Sequence, residues 1–577
     1  MSDSVQPVTL PQGNRSSSGR SEGAHPAKAP HHDGETHVLP LKKSFSRLAL
    51  IGLAYAILNS WTAMAASISV ALPSGGPSVV LWGIPISFLG SFATAVSLAE
   101  ICHVYPSSGG QYHWVALLSP PGRAPLFAFI EGWIACAGWV ALVATASSLA
   151  GQLVTGMVAL AHENVVVQRY QIFIVYVAYA LLAFASNLWG HKMLPIINQA
   201  ALSWSLAGAA TIAIVCLACK SGNYTSGKFV FASFINETGW NNGVAWILGL
   251  LQACFGLTGF DGVTHMVEEI PRPHINAPIA MCAAVLIGAV SSFIFLVCLL
   301  FTTSNVTQAI ESSTGVLLAA IYQAIGSVAG SLCLQVFPVI SMFFAAQGLL
   351  TSSSRMCYAF ARDGGLPFSS FFGRTNRDGI PVNTLILNTV LVIIFELVYL
   401  GSSSALNAIL SSSVVFLNIS YSAPIILLLA RGRHLLRPEG FPEPTLTLGR
   451  FWGPVANITA LIFILFTTVF FLFPPELPVT GSNMNCKLTA CSQRTRMTTL
   501  TFRPTSTCSH SDAIVGFAVV LIIATAHYFI SARKTYTGPK DLNVVFELVR
   551  ARMEGRDGSE PDVNGLEKFD DKVVTKP

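Results

Sequence analysis

Charge is scarce in this chain, and its scarcity decides the class. Of 577 residues only 11% are charged while 52% are hydrophobic, against about 25% charged in an ordinary soluble domain. A soluble globular fold is thereby excluded and a membrane protein implied. Neither an H-E-x-x-H nor a P-loop pattern occurs, and few histidines lie inside the apolar runs, so an enzyme is not expected. The twelve cysteines stand mostly inside apolar runs and read as small core filler, with no cofactor or metal called for. The N-terminal tail lacks the continuous apolar stretch of a signal peptide.

What the chain has in abundance is long apolar segments. A span needs about 20 apolar residues to cross a core of about 30 Å. Twelve windows qualify: 46–72, 77–103, 126–160, 170–189, 192–219, 244–269, 277–301, 328–358, 381–400, 404–430, 452–473 and 513–532. They frame a polar tail over 1–43 without apolar periodicity, a transmembrane domain over 44–538, and a mixed-charge tail over 539–577 with one short helix expected around 542–553. The net charge of +5 is spread through loops rather than gathered in a patch, so no nucleic-acid partner is expected. Lys42, Lys43, Arg47, Arg123, Lys192, Arg355, Arg362, Arg374, Arg377, Arg431, Arg433, Arg437, Arg533 and Lys534 fall on one side of the spans. By the positive-inside rule that side is the cytoplasm, and both termini lie there. The opposite loops hold little more than Arg169, Lys220 and Lys228, together with the sequons at Asn223, Asn236 and Asn305.

Two apolar stretches in matching places are interrupted by helix breakers, Asn59 to Pro77 and Phe255 to Pro273. In hydrocarbon an unwound helix survives only where it is buried in protein or lines a cavity, and one break in each half points to a transporter's substrate site. Asn59, Ser60, Trp61 and Thr62 supply the polar and aromatic groups of the first break; Phe255, Gly256, Gly259, Phe260 and Asp261 supply the second. Gly256, Gly259 and Gly262 either loosen the helix or serve as packing contacts. Asp261 is the most telling residue, because a carboxylate near a span's centre costs roughly 2.5 to 3.5 kcal/mol on insertion scales. It binds a substrate amine, carries a coupling proton, or locks the break by accepting N–H bonds. Asp261, His265 and Glu268 share one helical face, which reads as a proton path or as a gate, with Glu268 and Glu269 within reach of Arg272. Trp61, Trp133, Trp139, Phe255 and Phe260 are candidate aromatic faces for a quaternary ammonium. Among further carboxylates, Glu100 ends span two, Glu131 reads as interfacial, and Glu396 lies near the outer end of span nine.

SLAEICHVYPSSGGQYHW (97–114), GFDGVTHMVEEIPRP (259–273), YAFARDGGLPFS (358–369) and SARKTYTGP (531–539) resemble the fungal amino acid/choline transporter family of the amino acid/polyamine/organocation superfamily, which includes GABA and choline permeases. The resemblance implies an all-α fold of two inverted five-helix repeats plus two helices, twelve in all, with substrate held between unwound helices 1 and 6. It also implies a plasma-membrane permease for a small amino acid or GABA, proton-driven; choline or a related organic cation is the alternative, and a non-transporting nutrient receptor is a third reading. Arg362 and Asp363 then become candidates for locking one access state, and the resemblance implies a structural or gating role for Glu100 at the cytoplasmic mouth. Two departures bear on this. No glycine lies between Gly52 and Gly75, where the superfamily offers backbone N–H groups to a substrate carboxylate, and span five holds no interior lysine to replace sodium.

The outer stretch 486–511 breaks the charge pattern with Lys487, Arg494, Arg496 and Arg503. Cys486, Lys487 and Leu488 can be encoded with the intron-opening hexamer GTAAGT, and Ser511 with Asp512 can supply a terminal CAG. Two readings stand here, a genuine outer loop or a translated intron whose removal would join Asn485 to Ala513 through a tyrosine codon.

Overall fold

The computed structural model describes residues 47–120, 122–162, 164–401, 405–437, 444–477 and 512–539. The two tails and the 486–511 stretch, with its intron reading and the helix expected at 542–553, lie outside the described residues apart from the tail's first residue, 539.

The described chain is helical. Its principal helices are α1 (Arg47–Leu58), α2 (Ser60–Ala66), α3 (Ile68–Val104), α4 (Gln111–Leu118), α5 (Ala124–Ala161), α6 (Arg169–Trp189), α7 (Leu194–Cys219) and α8 (Asn242–Gly256). A 3-10 segment, Phe260–Glu269, follows. Then come α9 (Pro273–Thr302), α10 (Val316–Ile325), α11 (Val328–Arg362), α12 (Val382–Gly401), α13 (Ala405–Arg431), α14 (Gly449–Phe471) and α15 (Asp512–His527). Among the described residues, 10 helices are long and apolar enough to cross a membrane. They match ten of the twelve expected windows, and α12 and α15 occupy the windows at 381–400 and 513–532. The ten-residue apolar helix α10 was not expected; at about 1.5 Å per residue it is too short to span.

Local chemistry sets the ends of these helices. Asn241 caps α8 by accepting from the Val244 N–H at 3.0 Å, and Pro273 opens α9 where its missing N–H costs nothing. The turn between the first two spans lies within α3, at Gly75 and Gly76. Gly76 has φ +68°, and a Cβ there would lie 2.7 Å from the Ile235 nitrogen, so only glycine suits the position. The window from Asn59 to Pro77 thus holds two separate features, a break at Asn59 and this turn.

The breaks lie in a densely packed region. A Cβ on Gly256 would stand 2.5 Å from Met64 Cγ, one on Gly262 2.8 Å from Ile57 Cδ1, and one on Gly288 2.2 Å from Ser60 Oγ. These three glycines let α8, the 3-10 segment and α9 close onto α1 and α2. Cys216 and Cys219, with C-x-x-C spacing at the end of α7, are free thiols.

Candidate functional site

At the first break a single residue leaves the helix. Asn59 is left-handed at φ 44°, ψ 42°, unusual for a residue other than glycine but tolerated best by asparagine. Its N–H still donates to Tyr55 O at 2.7 Å and its C=O accepts from Ala63 N at 2.9 Å, so the chain bends with little loss of hydrogen bonding. Its amide side chain is directed to Met342 Sδ and Ser205 Oγ. Trp61 is fully buried, donates from Nε1 to Ser205 Oγ at 2.7 Å, and packs on Phe295 with ring centroids 4.6 Å apart. The ring is thus held by α7 and α9. The hydroxyls of Ser60 and Thr62 are buried with no hydrogen-bond partner among the described residues.

The second break is wider. Helix α8 ends at Gly256, Gly259 turns left-handed at φ 96°, and the chain resumes as Phe260–Glu269. Of the three glycines in this stretch, Gly259 supplies the turn, while Gly256 and Gly262 are close-packing positions. Both breaks open onto one small cavity. Asn59, Ala63, Phe255, Thr258, Leu142, Ala146 and Met342 are among its lining residues. It has room for about one water. No charged side chain is among those residues.

Asp261, three residues along the chain from the lining residue Thr258, is outside the lining and fully buried. Its Oδ2 accepts from Gln111 Nε2 at 2.7 Å, and its Oδ1 accepts from the Tyr421 hydroxyl. Tyr421 also accepts from the Gly259 N–H at 3.2 Å and packs on Phe260 with centroids 5.0 Å apart. His265 presents Nε2 to Asp261 Oδ2 at 3.6 Å. Its Nδ1 lies 3.0 Å from the Ser108 carbonyl, which has only lone pairs to offer, so Nδ1 carries a proton. At 3.6 Å Nε2 makes no hydrogen bond to the Asp261 carboxylate, and it has no other partner among the described residues.

Below this pair the segment becomes ionic. Glu268 accepts from Ser108 Oγ at 2.6 Å and pairs with Arg362 at 3.3 Å, and Glu269 pairs with Arg355 at 2.6 Å. The partners are therefore arginines of α11 rather than the neighbouring Arg272. Asp363, directly after α11, accepts from Tyr112 and from His113 Nε2, both at 2.8 Å. Burial pushes its carboxyl upward, but His113, Tyr112 and Arg362 outweigh this and hold it below the usual carboxylate range. Glu100 binds Arg433, Thr447 Oγ1 and the Leu448 N–H, fastening the chain before α14 to the end of α3.

The remaining candidates divide. Trp139 sets its edge on His265, centroids 5.3 Å apart, and Phe255 lines the cavity. Trp133 packs beside Phe129 and His527, away from the cavity's lining. Glu131 is 3% exposed, buried rather than interfacial. Glu396 is also buried and accepts from Ser148 at 3.0 Å. Sequence reasoning missed Gln111, Tyr421 and Ser108. A glutamine beside two glycines and a tyrosine within an apolar span were the available signals.

The chain is similar to known transporters. A family model described as amino acid permease matches residues 45–490. A choline transporter of Saccharomyces cerevisiae is 36% identical over 456 residues, covering 78% of this chain and 79% of that protein. An amino-acid permease of Arabidopsis thaliana is 27% identical over 516 residues, covering 86% and 93%. Among solved structures, MhsT in complex with L-phenylalanine aligns at a TM-score of 0.51 and 14% identity, covering 75% of this chain and 99% of that one. The fold is shared at that level.

Proposed function

Since the chain belongs to the amino acid permease family and is thus a multi-pass membrane transporter rather than an enzyme, we propose that it imports a small amino acid or GABA across the plasma membrane by alternating access. A proton accompanies the solute, both termini face the cytoplasm, and twelve spans form two inverted repeats of five plus two further helices. The observation that carries this reading is the shared cavity, lined by Asn59 from one break and by Phe255 and Thr258 from the other. Uncharged groups from both breaks can meet a ligand there without a charged side chain. Asp261 and His265 follow the second break as a buried pair, Oδ2 to Nε2 3.6 Å, and the carboxylate, costly in the span, serves the coupling ion.

A second reading, choline or a related organic cation, is favoured by one observation. No cationic side chain lines the cavity to receive a substrate carboxylate. Uptake of labelled GABA, amino acids and choline into a permease-deficient host, at pH 5 and pH 7, tests both. Amino acid or GABA uptake that rises at the lower pH supports the first, and uptake confined to choline overturns it. Signalling without measurable flux would replace both with a receptor.

A further inference from the structure

Tyr421 meets both the carboxylate and the backbone of the second break. Its hydroxyl donates to Asp261 Oδ1 and accepts from the Gly259 N–H at 3.2 Å, so its one proton and a lone pair are both spent on the same turn of chain. The residue is 1% exposed and its ring packs on Phe260. The helix that carries it is itself fixed, because Arg431 at the end of α13 donates to the Leu118 and Ser119 carbonyls at the end of α4, at 3.2 and 2.7 Å. Gln111, the other donor to Asp261, stands at the opposite end of α4. We propose that Tyr421 is a positioning residue that holds the second break unwound and so sets the affinity for the solute, an inference that rests on the shared cavity being the solute site.

A single backbone group distinguishes the bent chain from a straight one. In a continuous α-helix the Gly259 N–H would donate to the Phe255 carbonyl, four residues back. Here that carbonyl accepts from the Thr258 N–H instead, at 3.1 Å. Gly259, left-handed at φ 96°, donates to the Tyr421 hydroxyl, and backbone groups in a span must find such partners within the protein. With the hydroxyl removed, the bond left open to this N–H is the helical one, which straightens the chain. Straightening withdraws what the break presents. Phe255 and Thr258 line the cavity, and a Cβ on Gly259 would stand 2.9 Å from Leu142 Cδ2 and 3.5 Å from Ile57 Cγ2, both side chains of lining residues. The bent and straight forms therefore differ in solute affinity, and Tyr421 favours the bent one without being among the lining residues.

When only a fraction of the molecules holds the binding-competent shape, the apparent dissociation constant rises by the inverse of that fraction. An unsatisfied buried N–H costs enough to shift such a balance by about tenfold or more. Saturating solute restores the bent form, so the loss falls on affinity and not on the number of sites.

The test uses the full chain purified in detergent, with labelled GABA and labelled choline as probes in equilibrium binding. Dissociation constant and number of sites are measured for the wild type, Tyr421→Phe, Gly259→Ala and Gln111→Ala. Tyr421→Phe keeps the ring against Phe260 and removes only the hydroxyl. Gln111→Ala also strips one donor from Asp261 but leaves the Gly259 N–H bonded, so what the two share belongs to the carboxylate and the excess in Tyr421→Phe belongs to the break. Tyr421→Phe should bind about tenfold more weakly than Gln111→Ala, with a full complement of sites. Gly259→Ala, whose side chain disfavours the left-handed turn, should also weaken binding relative to the wild type, and it carries the test alone should Tyr421→Phe fail to fold. Equal affinity in Tyr421→Phe and Gln111→Ala, or fewer sites at wild-type affinity in Tyr421→Phe, overturns the inference, as does wild-type affinity in Gly259→Ala. A wild type that binds neither probe overturns the proposed solute beneath it instead.

Discussion

Replacing Asp261 with asparagine changes one atom, and its consequences can be worked from the hydrogen bonds. Asp261 receives a donor on each oxygen, Gln111 on Oδ2 and Tyr421 on Oδ1. Asparagine offers one acceptor and one NH2, so unless the Gln111 amide also turns to present its unpartnered Oε1, one donor meets another donor. A buried polar group left unsatisfied costs about 1–3 kcal/mol. The substitution also removes the charge opposite His265, and breaking a buried pair costs about 3–5 kcal/mol. Even about 3 kcal/mol, at 1.36 kcal/mol per tenfold, amounts to roughly 100-fold. Asp261→Asn should therefore cut uptake about 100-fold or more at matched surface abundance and flatten what remains between pH 5 and pH 7. Asp261→Glu, which keeps the charge and moves it by one methylene, should retain more activity. Labelled uptake normalised to surface-exposed protein measures both. Wild-type rate and pH dependence in Asp261→Asn would refute the assignment of this carboxylate to coupling.

Three further outcomes follow from the same contacts. Gln111→Ala removes a charge-assisted bond worth about 1.5–3 kcal/mol from Asp261 and should lower uptake about 10- to 100-fold with normal abundance; unchanged kinetics would show that Gln111 does not serve the carboxylate. Gly288→Val places a side chain where a Cβ already stands 2.2 Å from Ser60 Oγ; overpacking of about 1–3 kcal/mol should lower the melting temperature in detergent, and an unaltered melt would contradict the tight crossing of α2 and α9. Asp363 is held below its ordinary range in the folded protein, so its stabilising contribution is present above the unfolded value near 3.9 and fades as pH falls through the lower folded value. The difference in melting temperature between wild type and Asp363→Asn should accordingly be largest above about pH 4 and narrow below it, and a gap constant with pH would sink that account.

The apolar windows were legible because hydrophobic run length is a property of each segment alone. Ten of them reappear as helices long enough to span. Around Asn59 the sequence was less direct. With no glycine to mark the break, the candidate window stretched to Pro77 and merged it with the turn at Gly75 and Gly76, where the torsion angles separate the two. The partners of Asp261 were illegible for a different reason. Gln111 and Tyr421 stand 150 and 160 positions away along the chain, and only the packing of α4 and α13 against the 3-10 segment brings their side chains to one carboxylate. Likewise Glu268 and Glu269 had a plausible neighbour in Arg272, yet the arginines that reach them come from α11.

Trp61 carries a practical lesson for anyone wishing to retune what this permease accepts. Its indole is riveted to Ser205 and Phe295, so exchanging that ring would disturb how three helices are braced before it altered any preference among solutes. Mutational libraries aimed at selectivity should leave it alone and vary Phe255, Thr258 and Met342, whose side chains border the hollow itself.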